Sequence, residues 1–278
     1  MKYFCFRFDV DTHKCLQEGV PPLLSLARDL NVKFTFFVNF GQAVNRFSFI
    51  RAIVKKPQKA TETKSLSALT KLGVKDYVFI SLFNPFIGNR DRQILKNIEK
   101  NRHEIGLHGG KNHETWSRYA HRWTVEEIRN ELIWGREQIK RISDREPISG
   151  FASPSWNGSE KINNILREFN FTYVADIHSD QPIETVLMRK GLKYIPTNIT
   201  GEPEGVGYIE YCRASQMSDL EILIDFQNKL NARKKLATVY DHPYYAGIKE
   251  LNLVKSMIQM AKAMDYKIVT MREIAKNL

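Results

Sequence analysis

Short β-rich runs alternate with stretches of helical period along almost the whole chain, and this alternation limits its fold more than any other feature. Apolar residues in runs of four to eight, or at every second position, suit strands; recurrence at three and four suits helices. Strands are read at 3–9, 33–38, 103–108, 149–153, 171–176, 236–241 and 266–270. Helices are read at about 19–30, 90–101, 124–142, 159–168, 218–234 and 248–264, with a short one at the end. Such βα units build a parallel sheet. Lys33-Phe34-Thr35-Phe36-Phe37-Val38 is almost continuously apolar, as a strand covered on both faces should be. The expected fold is α/β: a distorted, closed or incomplete (β/α) barrel of about seven strands, one domain over 1–278. Flavodoxin-like wrapping is the alternative, but neither GxGxxG nor GxxxxGK[ST] marks a nucleotide site. Residues 42–101 exceed one βα unit and read as an insertion. It has helices near 42–55, 64–72 and 90–101 around the aromatic loop Phe79 to Phe86. The segment 177–217 reads as irregular.

Charge narrows the partners. Lys and Arg number 42 against 31 Asp and Glu, a net +11, which favours anionic partners such as nucleic acid, phospholipid or an acidic substrate. Cys5, Cys15 and Cys212 are three, far apart and without CxxC, which suits a reducing compartment rather than a disulfide framework. The start of the chain lacks the pattern of a secretory signal, and no apolar run reaches the ~18 residues of a membrane helix. The expectation is a cytoplasmic protein, not secreted, at most peripheral to a membrane.

In barrels, chemistry gathers where strands end. Along Arg7-Phe8-Asp9-Val10-Asp11, side chains alternate, so Arg7, Asp9 and Asp11 share one face and Phe4, Phe6 and Phe8 the other. Paired carboxylates are costly unless a cation balances them. They read either as strand-end caps or as one metal ligand plus one general base. His108 closes a later strand, and His113 follows across Gly109-Gly110. Two imidazoles and an aspartate can hold zinc with open positions for water and substrate. His103 lies across the turn and reads as structural. His242, before Pro243, ends a late strand that a barrel would bring beside the first. It reads as a packed histidine or as a general acid.

Together these stretches resemble the NodB-type polysaccharide deacetylase superfamily over almost the whole chain. Arg7-Phe8-Asp9-Val10-Asp11-Thr12, Glu18-Gly19-Val20-Pro21 and His103-Glu104-Ile105-Gly106-Leu107-His108 resemble one branch most, the formamido-arabinose-phosphoundecaprenol deformylases. The resemblance implies hydrolysis of an N-acyl (formyl or acetyl) aminosugar with one divalent metal, zinc or else cobalt or nickel. Asp11, His108 and His113 would be its ligands, Asp9 the base and His242 the acid. Asp176, in Tyr173-Val174-Ala175-Asp176, would orient His242, with Asp180 as its rival. Ser153, Trp156 and Tyr244 would wall the sugar site.

Two departures from the family pattern stand out. His108 and His113 have four residues between them where three are usual, which leaves Asn112 as a rival ligand. Ala152 stands where most members carry an arginine that holds the catalytic aspartate, and Arg7, two residues before Asp9 on the same face, could replace it. The substrate implied is a polyprenyl-phosphate-linked aminosugar. A soluble or polymeric aminosugar, or a non-catalytic carbohydrate- or lipid-binding descendant, are the rivals. Arg51, Lys55, Lys56, Lys59, Lys64 and Lys71 make a basic shoulder that reads as a solvated face or as a contact for anionic lipid. No RNA or DNA module signature supports a nucleic-acid reading.

Overall fold

The computed structural model describes residues 1–44, 78–80, 82–142, 149–203 and 205–278. Among these, nine strands form one curled sheet: β1 (Lys2–Val10), β2 (Thr35–Val38), β3 (Glu104–His108), β4 (Gly150–Ala152), β5 (Tyr173–His178), β6 (Leu187–Arg189), β7 (Leu192–Thr197), β8 (Leu236–Asp241) and β9 (Tyr266–Ile268). Their order is β6-β7-β5-β4-β3-β2-β1-β8, with β9 paired to the start of β1. Every pairing is parallel except the β6–β7 hairpin. Past the end of β7, Ile199 forms a single parallel bridge to Val239 of β8, so the sheet curls almost to closure. The distorted, incomplete barrel expected from the sequence is the fold.

Period-two patterning sorts its side chains. Phe4, Phe6, Phe8, Phe34 and Phe36 point outward into the layer between sheet and helices, where Phe6 stacks on Phe8 at 4.6 Å. Cys5, Phe37, Ala152, Tyr173 and Ala175 point inward. Each fully buried phenylalanine contributes about 1.5–3 kcal/mol, so the aromatic start of β1 anchors the outer layer. Among the described residues, the α-helices of seven residues or more are α1 (Val20–Asp29), α2 (Arg92–Lys100), α3 (His113–Tyr119), α4 (Val125–Lys140), α5 (Glu160–Glu168), α6 (Tyr208–Ala214), α7 (Asp219–Ala232), α8 (Leu251–Ala263) and α9 (Met271–Asn277). Reciprocal capping boxes fix the starts of α4 (Thr124, Glu127), α7 (Ser218, Glu221) and α9 (Thr270, Glu273).

The structure adds two strands to the expected seven, both within the segment read as irregular. Lys190 and Gly191, both at positive φ (50° and 82°), form the two-residue turn of the β6–β7 hairpin. That segment also holds α6. Part of the aromatic loop is helical, with residues 78–80 and 82 in helical turns and Leu82 and Phe83 exposed. Residues 42–44 form a bridge and bends rather than helix. The remainder of the expected 42–55 helix, the 64–72 helix and the basic shoulder lie outside the described residues.

Candidate active site

The inward-facing residues of the barrel run from floor to mouth. At the floor, buried Glu104 accepts from Thr35 (2.9 Å) and Tyr173 (2.8 Å) hydroxyls. Midway, Arg7 is 1% exposed and forks onto Asp9: Nε donates to Oδ1 (3.2 Å) and Nη2 to Oδ2 (2.6 Å). Its Nη1 donates to the Ala175 carbonyl at 2.7 Å and to Thr197 Oγ1 at 3.1 Å. Phe37, Trp156 and Tyr240 surround the guanidinium at 4.7, 4.7 and 5.1 Å. Arg7 thus holds Asp9 from its own strand, β1, and reaches across to β5 and β7. Ala152 is wholly buried.

At the mouth, Asp11 Oδ1 lies 3.3 Å from His108 Nε2 and 3.4 Å from His113 Nε2, and the two imidazole nitrogens are 3.3 Å apart. The stretched spacing is absorbed by Gly109, at φ +74°, before Asn112 caps α3 by accepting from the Thr115 amide at 2.9 Å. Asn112 also donates to the Val44 carbonyl, so its side chain is engaged away from the cluster. His108 Nδ1 donates to the Ala152 carbonyl at 2.9 Å, which leaves Nε2 as the lone-pair nitrogen facing Asp11. Asp11 Oδ1 is buried and has no hydrogen bond. A buried carboxylate oxygen without a donor, facing two imidazole nitrogens, fits a cation bound between them.

The protonation balance of the cluster follows the same charges. Burial alone would raise the Asp11 carboxyl, but His113 and His242 hold it well below its ordinary value. Burial depresses both loop histidines. For His108 the Asp9 and Asp11 carboxylates outweigh it and raise the imidazole, whereas His113 stays lowered.

His242 follows the end of β8 across the mouth. Its Nε2 lies 3.2 Å from Asp11 Oδ2 and 3.0 Å from the Tyr240 hydroxyl. Its Nδ1 donates to Glu210 Oε1 of α6 at 2.6 Å. Burial would lower this imidazole, yet Glu210 and then Asp11 hold it well above its usual value. Asp241, beside it, accepts from the Ile209 amide at 2.7 Å and the His242 amide at 2.9 Å. That carboxyl is pushed up to about 8 by burial and by neighbouring Glu210.

The orienting contact expected of Asp176 is therefore made by Glu210. Asp176 instead accepts from the Ser153 amide (2.6 Å) and hydroxyl (2.7 Å), and Asp180 pairs with Lys229 and Arg233 at the barrel's side. By holding Ser153, Asp176 pins a turn in which Ser155 and Trp156 both take left-handed φ, 52° and 57°. Ser117 bonds Ser155 at 2.6 Å, and Trp156 Nε1 donates to the Gly205 carbonyl at 2.8 Å. Asp9, Asp11, His108, His113, Ser153, Trp156 and His242 all border one cavity of about 260 Å³. Tyr244 does not: it is buried behind His242, with ring centres 5.6 Å apart. The sequence reading missed Glu210 and the placement of Tyr240.

The chain is similar to several known proteins. A Shewanella sediminis protein named as a 4-deoxy-4-formamido-L-arabinose-phosphoundecaprenol deformylase is 26% identical over 179 residues, 63% of this chain. The chain spans 56% of that relative's length. A structure from Mycobacterium smegmatis named as a polysaccharide deacetylase superposes with a TM-score of 0.64 at 20% identity, covering 99% of this chain and 88% of the other. A carbohydrate esterase family 4 pseudoenzyme from Bacillus anthracis gives 0.56 at 15% identity, with 99% and 65% covered. At these identities the two structures speak for the fold alone. The polysaccharide deacetylase family matches residues 2–174, from β1 and the aspartates at and just past its end, Asp9 and Asp11, through His108 and His113, into β5. On that match, over more than half of its 278 residues, the chain belongs to the polysaccharide deacetylase family.

Proposed function

We propose that the protein is a metal-dependent hydrolase that removes an N-acyl group, formyl or acetyl, from an aminosugar. The observation carrying this reading is the donorless Asp11 Oδ1 facing two imidazole nitrogens, with Asp9 on one side and His242 on the other. Asp11, His108 and His113 would hold one divalent ion. Two imidazoles and a carboxylate with an open position suit zinc, with cobalt or nickel as substitutes. When bound, the ion supplies Lewis-acid polarisation of the acyl oxygen and of water.

The remaining steps belong to the chain's own groups. Asp9, held by the Arg7 fork, takes a proton from the attacking water. His242, whose protonated form is favoured by Glu210 and then Asp11 against its burial, gives a proton to the departing amine nitrogen. An amide nitrogen leaves poorly without that proton. Trp156, braced by Gly205, offers an aromatic wall to the sugar. A cavity of about 260 Å³ is at the small end for ligand sites and suits one sugar unit rather than a wrapped polymer.

A lipid-phosphate-linked aminosugar is the favoured substrate, supported by the similarity to the deformylase over part of that relative's length. Exposed Leu82 (64%) and Phe83 (62%) offer an apolar contact for an anionic membrane's inner face, where the protein would work peripherally from the cytoplasm. No described helix is long and apolar enough to cross a membrane. The test is turnover on formyl- and acetyl-aminosugars, each with and without a prenyl phosphate. Release of formate or acetate that falls sharply without the prenyl phosphate supports the lipid-linked reading. Equal rates favour a soluble aminosugar, and no release from a metal-loaded protein overturns the hydrolase.

A further inference from the structure

The opposite end of the barrel carries a cavity for which the proposed reaction has no use. It lies at the N-terminal ends of the strands, about 1010 Å³ in volume, between the end of α5, the residues leading into β4 and β5, the β6–β7 hairpin and α9. Five of its lining residues are cationic: Arg167, Lys190, Lys193, Arg272 and Lys276. Among the described residues that line it, none is acidic.

Two carboxylates pair with these cations from outside the lining. Exposed Glu160 is shared by Arg167 (2.8 Å) and Lys190 (3.9 Å), and buried Glu104 lies 3.6 Å from Arg272. Among the described residues, five positive charges against two negative ones leave an excess of three that favours an anionic ligand. The groups are also held in place. Lys193 Nζ donates to the Ala275 carbonyl at 2.5 Å, and Arg272 Nε to Ser149 Oγ at 2.9 Å.

We propose that this cleft is a second ligand site, which takes a phosphorylated small molecule. Two guanidiniums offer the planar forks that match phosphate oxygens, and three ammoniums add charge without demanding one geometry. The volume is too large for one phosphate alone and falls in the range of small-molecule sites. Phe171, Ala275 and the half-exposed Met188 give an organic body apolar contact.

A ligand seated there would join α9 to α5 and the hairpin. The first amides of α9 already fasten the barrel floor: Met271 N–H donates to Thr35 Oγ1 (2.9 Å) and Arg272 N–H to Glu104 Oε2 (2.8 Å). Occupancy therefore strengthens closure of the floor and raises Tm in proportion to the logarithm of free ligand.

Pyrophosphate and ADP are the probes, titrated calorimetrically without divalent metal into the full chain at about 0.15 M NaCl, where surface charge is screened. The expected result is saturable binding of at least one of them. Binding should be at least roughly tenfold weaker in Lys190→Glu/Lys276→Glu and unchanged in Lys255→Glu, on a distant exposed position of α8. Equal affinity for the two probes assigns recognition to the phosphates, and tighter ADP binding adds the organic body. Asp11→Ala should bind both as wild type does, which separates this site from the metal cluster. Circular dichroism and Tm of the double variant without ligand establish that it folds. Absence of saturable binding, equal affinity in the folded double variant, or loss of binding in Asp11→Ala would overturn the proposal.

Discussion

His242 sits between two carboxylates that do different things. Asp11 approaches Nε2, the nitrogen facing the cavity, while Glu210 accepts the proton of Nδ1 from behind. Glu210 therefore fixes both the tautomer and the charge of the ring in the proposed reaction. Glu210→Gln retains a hydrogen-bonding side chain but removes the charge. It should lower kcat by about 10²-fold, within the ~10²–10⁴-fold that acid–base groups contribute, and leave KM within a factor of a few. Steady-state kinetics on the deacylation substrate would show this split, and a rise in KM alone would contradict the assigned role. His103 shows the opposite use of an imidazole. Burial, helped by Lys33, pushes its pKa down to about 4, and the neutral Nδ1 accepts the Phe34 amide at 3.0 Å. The unfolded chain protonates this ring near pH 6.5 and the folded chain does not. Its stability contribution is thus fully present above about pH 6.5 and is lost as pH falls toward about 4. At pH 5 the loss is about 2 kcal/mol. Urea midpoints at pH 7 and pH 5 should differ more for wild type than for His103→Gln.

Among the elements, the turn between β3 and α3 decides whether the second histidine reaches the cluster. Gly109 takes φ +74°, and a Cβ there would meet Pro154 Cγ at 2.7 Å. Gly109→Ala should cost about 1–2 kcal/mol of stability and weaken metal affinity on the order of tenfold. Calorimetric zinc titration beside a urea melt checks both, and unchanged affinity would mean that His113 is not needed. Five of the expected strands, 3–9, 33–38, 171–176, 236–241 and 266–270, were legible as compact runs rich in β-branched or aromatic residues, while 103–108 and 149–153 were legible from their place in the βα alternation. β6 and β7 were not: Leu187–Arg189 is too short to show a period, and Pro196 inside Leu192–Thr197 weakens a strand reading. The usable signal was Lys190-Gly191, a two-residue hairpin turn. The site divides in the same way. Asp9, Asp11, His108, His113 and His242 stand at strand ends, where spacing alone draws the eye. Glu210 lies 32 residues before its partner, within Tyr208-Ile209-Glu210-Tyr211, a run with no motif to mark it. Asp176 was visible as a carboxylate near a strand end, but only packing shows that it serves the Ser153 turn.

Across the whole molecule, inward residues form one polar column through an otherwise apolar barrel, from Glu104 at the floor through Arg7 to Asp9 and the His–Asp cluster at the mouth. Arg7 connects β1 to β5 and β7 through Ala175 and Thr197, so it fastens the barrel wall as well as Asp9. Arg7→Lys keeps the charge but loses the fork. It should reduce kcat by about 10²-fold, within the range of a general base's contribution, while the metal remains bound. Loss of metal together with activity would instead make Arg7 a residue that merely holds the cluster's shape. The central claim is that Asp11, His108 and His113 hold a divalent ion. Metal content by mass spectrometry, on purified wild type and Asp11→Ala after equal incubation with zinc, tests it most directly. About one ion per chain in wild type and essentially none in the variant is the predicted result. A wild-type chain that takes up no metal, or a variant that retains it, would contradict the account.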